Sequence, residues 1–130
     1  MATQRPATIQ YRASLHREVC VLIEAEYGQD LQLESLAKRI ASSRRQLQRA
    51  FTEAGATTFR DHLTSVRMAR AAELLSSESL TVREVARQVG YKQPAQFAKA
   101  FRRLHGVAPS EFRTSARANR VGPRLLSSVI

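Results

Sequence analysis

Arg45, Gln48 and Arg49 stand at i, i+3 and i+4, so on an α-helix they share one face. Arginine and glutamine are the side chains best able to pair bidentately with guanine and adenine edges in a major groove. If Leu47, Ala50 and Phe51 point inward, Arg44 and Thr52 turn outward with them. Ser43 opens the same segment, where its hydroxyl either caps the backbone or holds a phosphate; with Arg44 it is assigned to phosphate. A second such face follows about 50 residues on. There, inward Phe97, Ala100, Phe101 and Leu104 leave Gln93, Gln96, Lys99 and Arg103 outside. Gln96 and Lys99 are the base-reading candidates, and Arg102 and Arg103 the phosphate clamps.

Other chemistries find little support. His16, His62 and His105 fall on three different expected helices and form no metal-ligand pair at helical spacing. His16 and His105 read as surface residues and His62 as partly packed. The single cysteine, Cys20, sits among Val19, Val21, Leu22 and Ile23, where a buried thiol acts as a small hydrophobe. There is no glycine-rich phosphate loop and no nucleophile–base pattern. Neither an enzyme nor a cofactor is expected.

The charge supports a polyanionic partner. The 130 residues hold 21 Lys and Arg, 18 of them Arg, against 11 Asp and Glu, a formal net charge of +10. Residues 31–54 carry +3 and residues 81–130 carry +8, while 1–30 is −1 and 55–80 is neutral. Two basic blocks around a neutral stretch suit two contact surfaces joined by a spacer. No apolar run approaches the ~18 residues that span a bilayer, and residues 1–10 lack the apolar core of a signal peptide. A cytoplasmic protein without a membrane partner is expected.

Helical spacing dominates the elements that must position these faces. Leu15, Val19, Leu22 and Ile23 predict a first helix over 12–27, ended by Gly28. Leu33, Leu36, Ala37 and Ile40 mark a short second helix. Ser43-x-x-Gln46 reads as a capping box for a third. Thr58-x-x-Asp61 caps a fourth with Phe59, Leu63, Val66, Ala69, Leu74 and Leu75 inside. Thr81-x-x-Glu84 is a full capping box for a fifth, and Pro94 suits the first turn of a sixth. Pro109 starts a last short helix through Phe112, and residues 117–130 read as a basic flexible tail. The chain also repeats itself. Ala37 and Ile40 match Ala86 and Val89 at an offset of 49, and Leu47 and Phe51 match Phe97 and Phe101 at 50. Each unit is a short helix, a tight turn and a second helix, the spacing of a helix-turn-helix.

Val85-Ala86-x-x-Val89-Gly90-Tyr91, Phe97-x-x-x-Phe101-Arg102 and Gly106-x-x-Pro109-x-x-Phe112-Arg113 closely resemble the signature of AraC/XylS-type transcriptional regulators. Leu36-Ala37 through Leu47-Gln48-Arg49-x-Phe51 resembles that family's first DNA-binding half, and the resemblance covers about residues 12–115. It implies an all-α fold of seven helices: a helix-turn-helix subdomain over 1–56, a long linker helix over 57–77 and a second subdomain over 78–116. The chain is similar to the stand-alone MarA/SoxS kind, with no room for an effector domain. Arg45, Gln48 and Arg49 align with the family's base-contacting positions. Ala41 and Ala56 depart from it where glycine is usual, His62 where an aromatic is common, and Pro94-Ala95 where longer polar residues open the second recognition helix. The resemblance implies a sequence-specific regulator of double-stranded DNA, an activator working with RNA polymerase and binding as a monomer. A rigid linker helix would set the recognition helices about 34 Å apart, one turn of DNA. A non-specific nucleoid protein, an isolated fragment of a larger effector-responsive regulator and a cationic membrane-surface protein are the competing readings.

Overall fold

The computed structural model describes the backbone of residues 6–77 and 79–129. It is all-α: α1 Pro6–Glu26, α2 Leu33–Arg39, α3 Arg44–Gly55, α4 Phe59–Ser77, α5 Val82–Gln88, α6 Pro94–His105 and α7 Pro109–Val129, with no strand among the described residues. The expected seven helices are present.

Local chemistry explains where most of them begin. The Ser43 hydroxyl accepts the Gln46 N–H at 3.2 Å, and Thr58 accepts the Asp61 N–H at 3.1 Å. Thr81 and Glu84 complete a reciprocal capping box, at 3.1 and 2.9 Å. Its N–H bonds hold the Glu84 carboxyl below the usual carboxylate range. At Ser43 only half of the expected box forms. The Gln46 amide oxygen instead accepts from the Ser42 hydroxyl at 2.7 Å and from the Tyr11 hydroxyl at 3.2 Å, because α1 brings Tyr11 within reach.

Both helix-turn-helix turns use one backbone device. Ser42 N–H bonds Ala37 C=O at 2.8 Å and Ala41 N–H bonds Lys38 C=O at 3.2 Å; Tyr91 and Gly90 repeat this with Ala86 and Arg87 at 2.9 and 3.1 Å. These paired bonds are Schellman motifs, which require one left-handed residue. Gly90 takes it at φ 96°, Ala41 at φ 54°. Ala56, ending α3, is also left-handed at φ 52°, where Gly106 ends α6 at φ 82°. The chain thus keeps the glycine geometry at both departures from the family pattern and carries the strain of a β-carbon there.

The chain divides into two compact units between Val66 and Arg67, inside α4. In the first, Leu15, Val19 and Ile23 of α1, Leu36 and Ala37 of α2, Leu47, Ala50 and Phe51 of α3 and Leu63 of α4 form one buried core. In the second, Met68, Ala71 and Leu75 of α4 are buried, as are Val85, Ala86 and Val89, Phe97 and Phe101. The spacer expectation therefore changes, since each half of α4 is a core element of its own unit. Ala69, expected inside, is exposed; Met68 and Ala71 occupy the inner face because 68, 71 and 75 follow the helical period.

Three further expectations are corrected. α1 begins at Pro6, not residue 12: proline suits a first helical turn, and Ala7, Ile9, Gln10 and Tyr11 are exposed, so no apolar stripe marks that turn. α7 does not stop at Phe112; residues 117–129, read as a tail, continue it to Val129. Ala116, Arg117 and Ala118 are good helix formers, so a helix nucleated at Pro109 extends past Phe112. Leu104 is 46% exposed, because the buried side of α6 is set by Phe97 and Phe101, four residues apart.

Candidate nucleic-acid interface

α3 is held from behind by α1. His16 lies edge-on to Phe51, ring centroids 5.2 Å apart, and 6.1 Å from the His62 ring of α4. A β-carbon on Gly55 would lie 2.6 Å from His16 Nε2, so glycine is what lets the end of α3 approach α1. His16, expected at the surface, is thus half-buried among aromatic rings; His62 is partly packed as expected. Burial, and secondarily the neighbouring His62, lower the His16 pKa. Cys20 Sγ lies 3.6 Å from His16 Nε2, and burial raises its pKa, as for a thiol that packs rather than reacts. Arg12 of α1 pairs with Glu53 of α3, and Tyr11 binds Gln46, fixing α3 along its length. Arg39 grips Glu26 through two hydrogen bonds of 2.8 and 2.7 Å, tying α2 to α1 and holding the Glu26 carboxyl below its ordinary range.

With its apolar side so fixed, α3 turns Arg44, Arg45, Gln48, Arg49 and Thr52 to solvent; all five are exposed. Arg45, Gln48, Arg49, Thr52 and Glu53 line one shallow hollow of about 360 Å³. The structure therefore brings the three base-reading candidates of this half together. Among the described residues Arg45 and Arg49 form no ion pair, so their guanidinium groups remain available to a ligand. Thr52 donates to the Gln48 carbonyl at 3.0 Å. Two acids border this face. Glu53 is engaged by Arg12, and Glu34 of α2 reaches Arg44 at 3.3 Å. Spacing along α3 could not reveal Glu34, because it comes from another helix.

The second unit fixes α6 by aromatic packing. Phe101 lies 5.8 Å from Phe97, 5.3 Å from Phe112 and 4.3 Å from the His105 ring. His105 is exposed, as expected, and its Nε2 also donates to the Met68 carbonyl at 3.2 Å, which ties α6 to α4. Arg113 donates to the Leu75 carbonyl at 3.3 Å and to that of Leu80, closing the C-terminus of α4 with a charge that suits it. The Arg67 guanidinium lies 5.7 Å above the Tyr91 ring and would meet a β-carbon on Gly90 at 2.8 Å. Gln96, Lys99, Arg102 and Arg103 are all exposed, and none forms an ion pair among the described residues. Pro94 sits in the first turn of α6 after Gln93, which makes no side-chain cap bond. Among the described residues no group of His, Cys, Asp and Glu is placed to hold a metal ion, and no helix is long and apolar enough to cross a membrane.

Comparison with known proteins agrees with this arrangement. A helix-turn-helix domain family matches residues 36–115. The Msm operon regulatory protein of Streptococcus mutans is 30% identical over 102 residues, 78% of this chain and 37% of that protein. The lactose operon transcription activator of Staphylococcus xylosus is 32% identical over 91 residues, 70% of this chain and 33% of its own length. The DNA-binding domain of AdpA, a global transcriptional factor solved with a target DNA, superposes with a TM-score of 0.75 at 30% identity, covering 82% of this chain and 95% of that one. The chain belongs to the AraC-type helix-turn-helix family, whose members are DNA-binding transcriptional regulators. It spans about a third of the length of these two curated relatives.

Proposed function

We propose that this protein is a sequence-specific regulator of transcription that places α3 and α6 in successive major grooves of double-stranded DNA. The observation that carries the reading is the exposed line of Arg45, Gln48 and Arg49, whose bordering acids are paired with Arg12 and Arg44, on a helix whose Leu47, Ala50 and Phe51 are fully buried. Such a face offers bidentate donors at fixed positions, which base-edge recognition needs. Gln96 and Lys99 are the base-reading side chains of α6, while Ser43, Arg44, Arg102 and Arg103 hold phosphates. Pro94 and Ala95 bring no hydrogen-bonding side chains to the start of α6. The first half therefore reads sequence, and the second mainly supplies affinity for the backbone. The protein acts as a binding module and not a catalyst, bound as a monomer in the cytoplasm. The lactose operon transcription activator of Staphylococcus xylosus supports activation as the direction of control; the protein partner of such an activator is RNA polymerase.

Selection of bound duplexes from a random pool, followed by salt titration on the selected and a scrambled duplex, tests this. A preferred site whose log affinity falls steeply and linearly with log salt supports the proposal. Equal affinity for both duplexes would make it a non-specific nucleoid-type protein, and a slope near zero would reject DNA binding altogether.

A further inference from the structure

Gln48 stands on a ridge between two hollows. On one side lie Arg45 and Arg49. On the other, where the start of α2, the face of α3 and the first turn of α4 meet, a larger hollow of about 540 Å³ is lined by Glu34, Ser35, Arg44 and Arg60. An α-helix with its side chains is about 10–12 Å across, nearly the width of a major groove, so the two sugar–phosphate strands must pass along its flanks. The larger hollow is such a flank, and it displays donors suited to phosphate oxygens.

Arg60 is the informative residue. It is exposed in the first turn of a 19-residue helix, where the helix dipole disfavours a cation. Among the described residues it forms no ion pair, whereas Arg44 in the same hollow is paired with Glu34. Helix stability does not account for an arginine there; an external anion does. The neutral charge balance of residues 55–80 conceals it in a count along the chain.

We propose that this hollow is the channel for one DNA strand beside α3, with Arg60 as its phosphate anchor. The inference rests on the DNA-binding reading above. An incoming phosphate displaces Glu34 from Arg44, since that pair is well exposed, at 60% and 70%, and exposed pairs hold weakly.

The test uses the full chain with Arg60→Gln and Arg60→Lys, on the selected and scrambled duplexes, at several salt concentrations. Arg60→Gln should weaken both duplexes by the same factor and lower the salt slope by about one, with an unchanged melting temperature; Arg60→Lys should restore the slope. Duplexes carrying single uncharged methylphosphonates flanking the site should include one position that weakens the wild type but not Arg60→Gln. Wild-type binding with an unchanged slope and unchanged phosphonate sensitivity in Arg60→Gln would overturn the channel alone. Loss of salt-dependent binding in the wild type would overturn the DNA-binding reading itself.

Discussion

Replacing Ala41 by glycine should stabilise the first unit. Ala41 holds the left-handed position of the first helix-turn-helix turn at φ 54°, where Gly90 stands in the second. An L-residue in that region is strained by roughly 1–2 kcal/mol, which glycine relieves. Glycine also widens the unfolded ensemble, at a cost of about 0.4–1 kcal/mol. The Ala41 side chain is exposed, so its methyl group gives up little buried surface. The net gain is about 0.5–1 kcal/mol, or roughly 2–8 °C in Tm for a unit of this size. Ala56→Gly, relieving φ 52° at the end of α3, should behave alike, and the double variant should add the two effects. The mirror change, Gly90→Ala, should destabilise, because its β-carbon would also lie 2.8 Å from the Arg67 guanidinium. Urea unfolding followed by circular dichroism measures each change, and hydrogen exchange at α2–α3 amides localises it. A loss of about 1 kcal/mol on Ala41→Gly, as for glycine inside a helix, would refute the left-handed assignment.

Three other outcomes are expected. Arg49→Ala should cost about 1–3 kcal/mol on the preferred duplex and much less on scrambled DNA, whereas Arg103→Ala should weaken both alike and reduce the salt slope by about one; the reverse pattern in binding titrations would sink the division of labour. Phe101→Ala, emptying a fully buried site among three other rings, should cost about 3–5 kcal/mol, and an almost unchanged melting temperature would show the α6 core to be wrongly assigned. His16 has a folded-state pKa below its ordinary 6.5, so the unfolded chain binds the proton more readily; its contribution is intact above pH 6.5 and is lost as the pH falls towards the folded value. His16→Gln should flatten that acid-side loss in urea titrations, and an identical pH profile in the variant would contradict it.

Most helix positions and the exposed faces of α3 and α6 are legible because they depend on local, periodic information. Leu47, Ala50 and Phe51 at helical spacing dictate an inner side, and Arg45, Gln48 and Arg49 must then face out. Thr81-x-x-Glu84 closes as a box because all its partners lie within one turn. Where a local pattern is absent, boundaries differ: the exposed first turn of α1 carries no stripe that could announce it.

What the tertiary structure alone decided involves partners distant in the chain. His16 lies between Phe51 and His62, and the Gln46 amide oxygen accepts from the hydroxyl of Tyr11, 35 residues away, rather than completing a capping box. Glu34 reaches Arg44, and Arg60 joins Arg44 around one hollow, although neither spacing nor regional charge links them. Ala41 adopts the backbone of Gly90 because the packing of α2 on α3 demands that turn and outweighs the preference of a single alanine. By itself, therefore, the sequence determined which faces the helices bury and which they offer to a partner. Which charges stand free on those faces depends on the neighbours that folding supplies, and no periodicity along one helix carries that information.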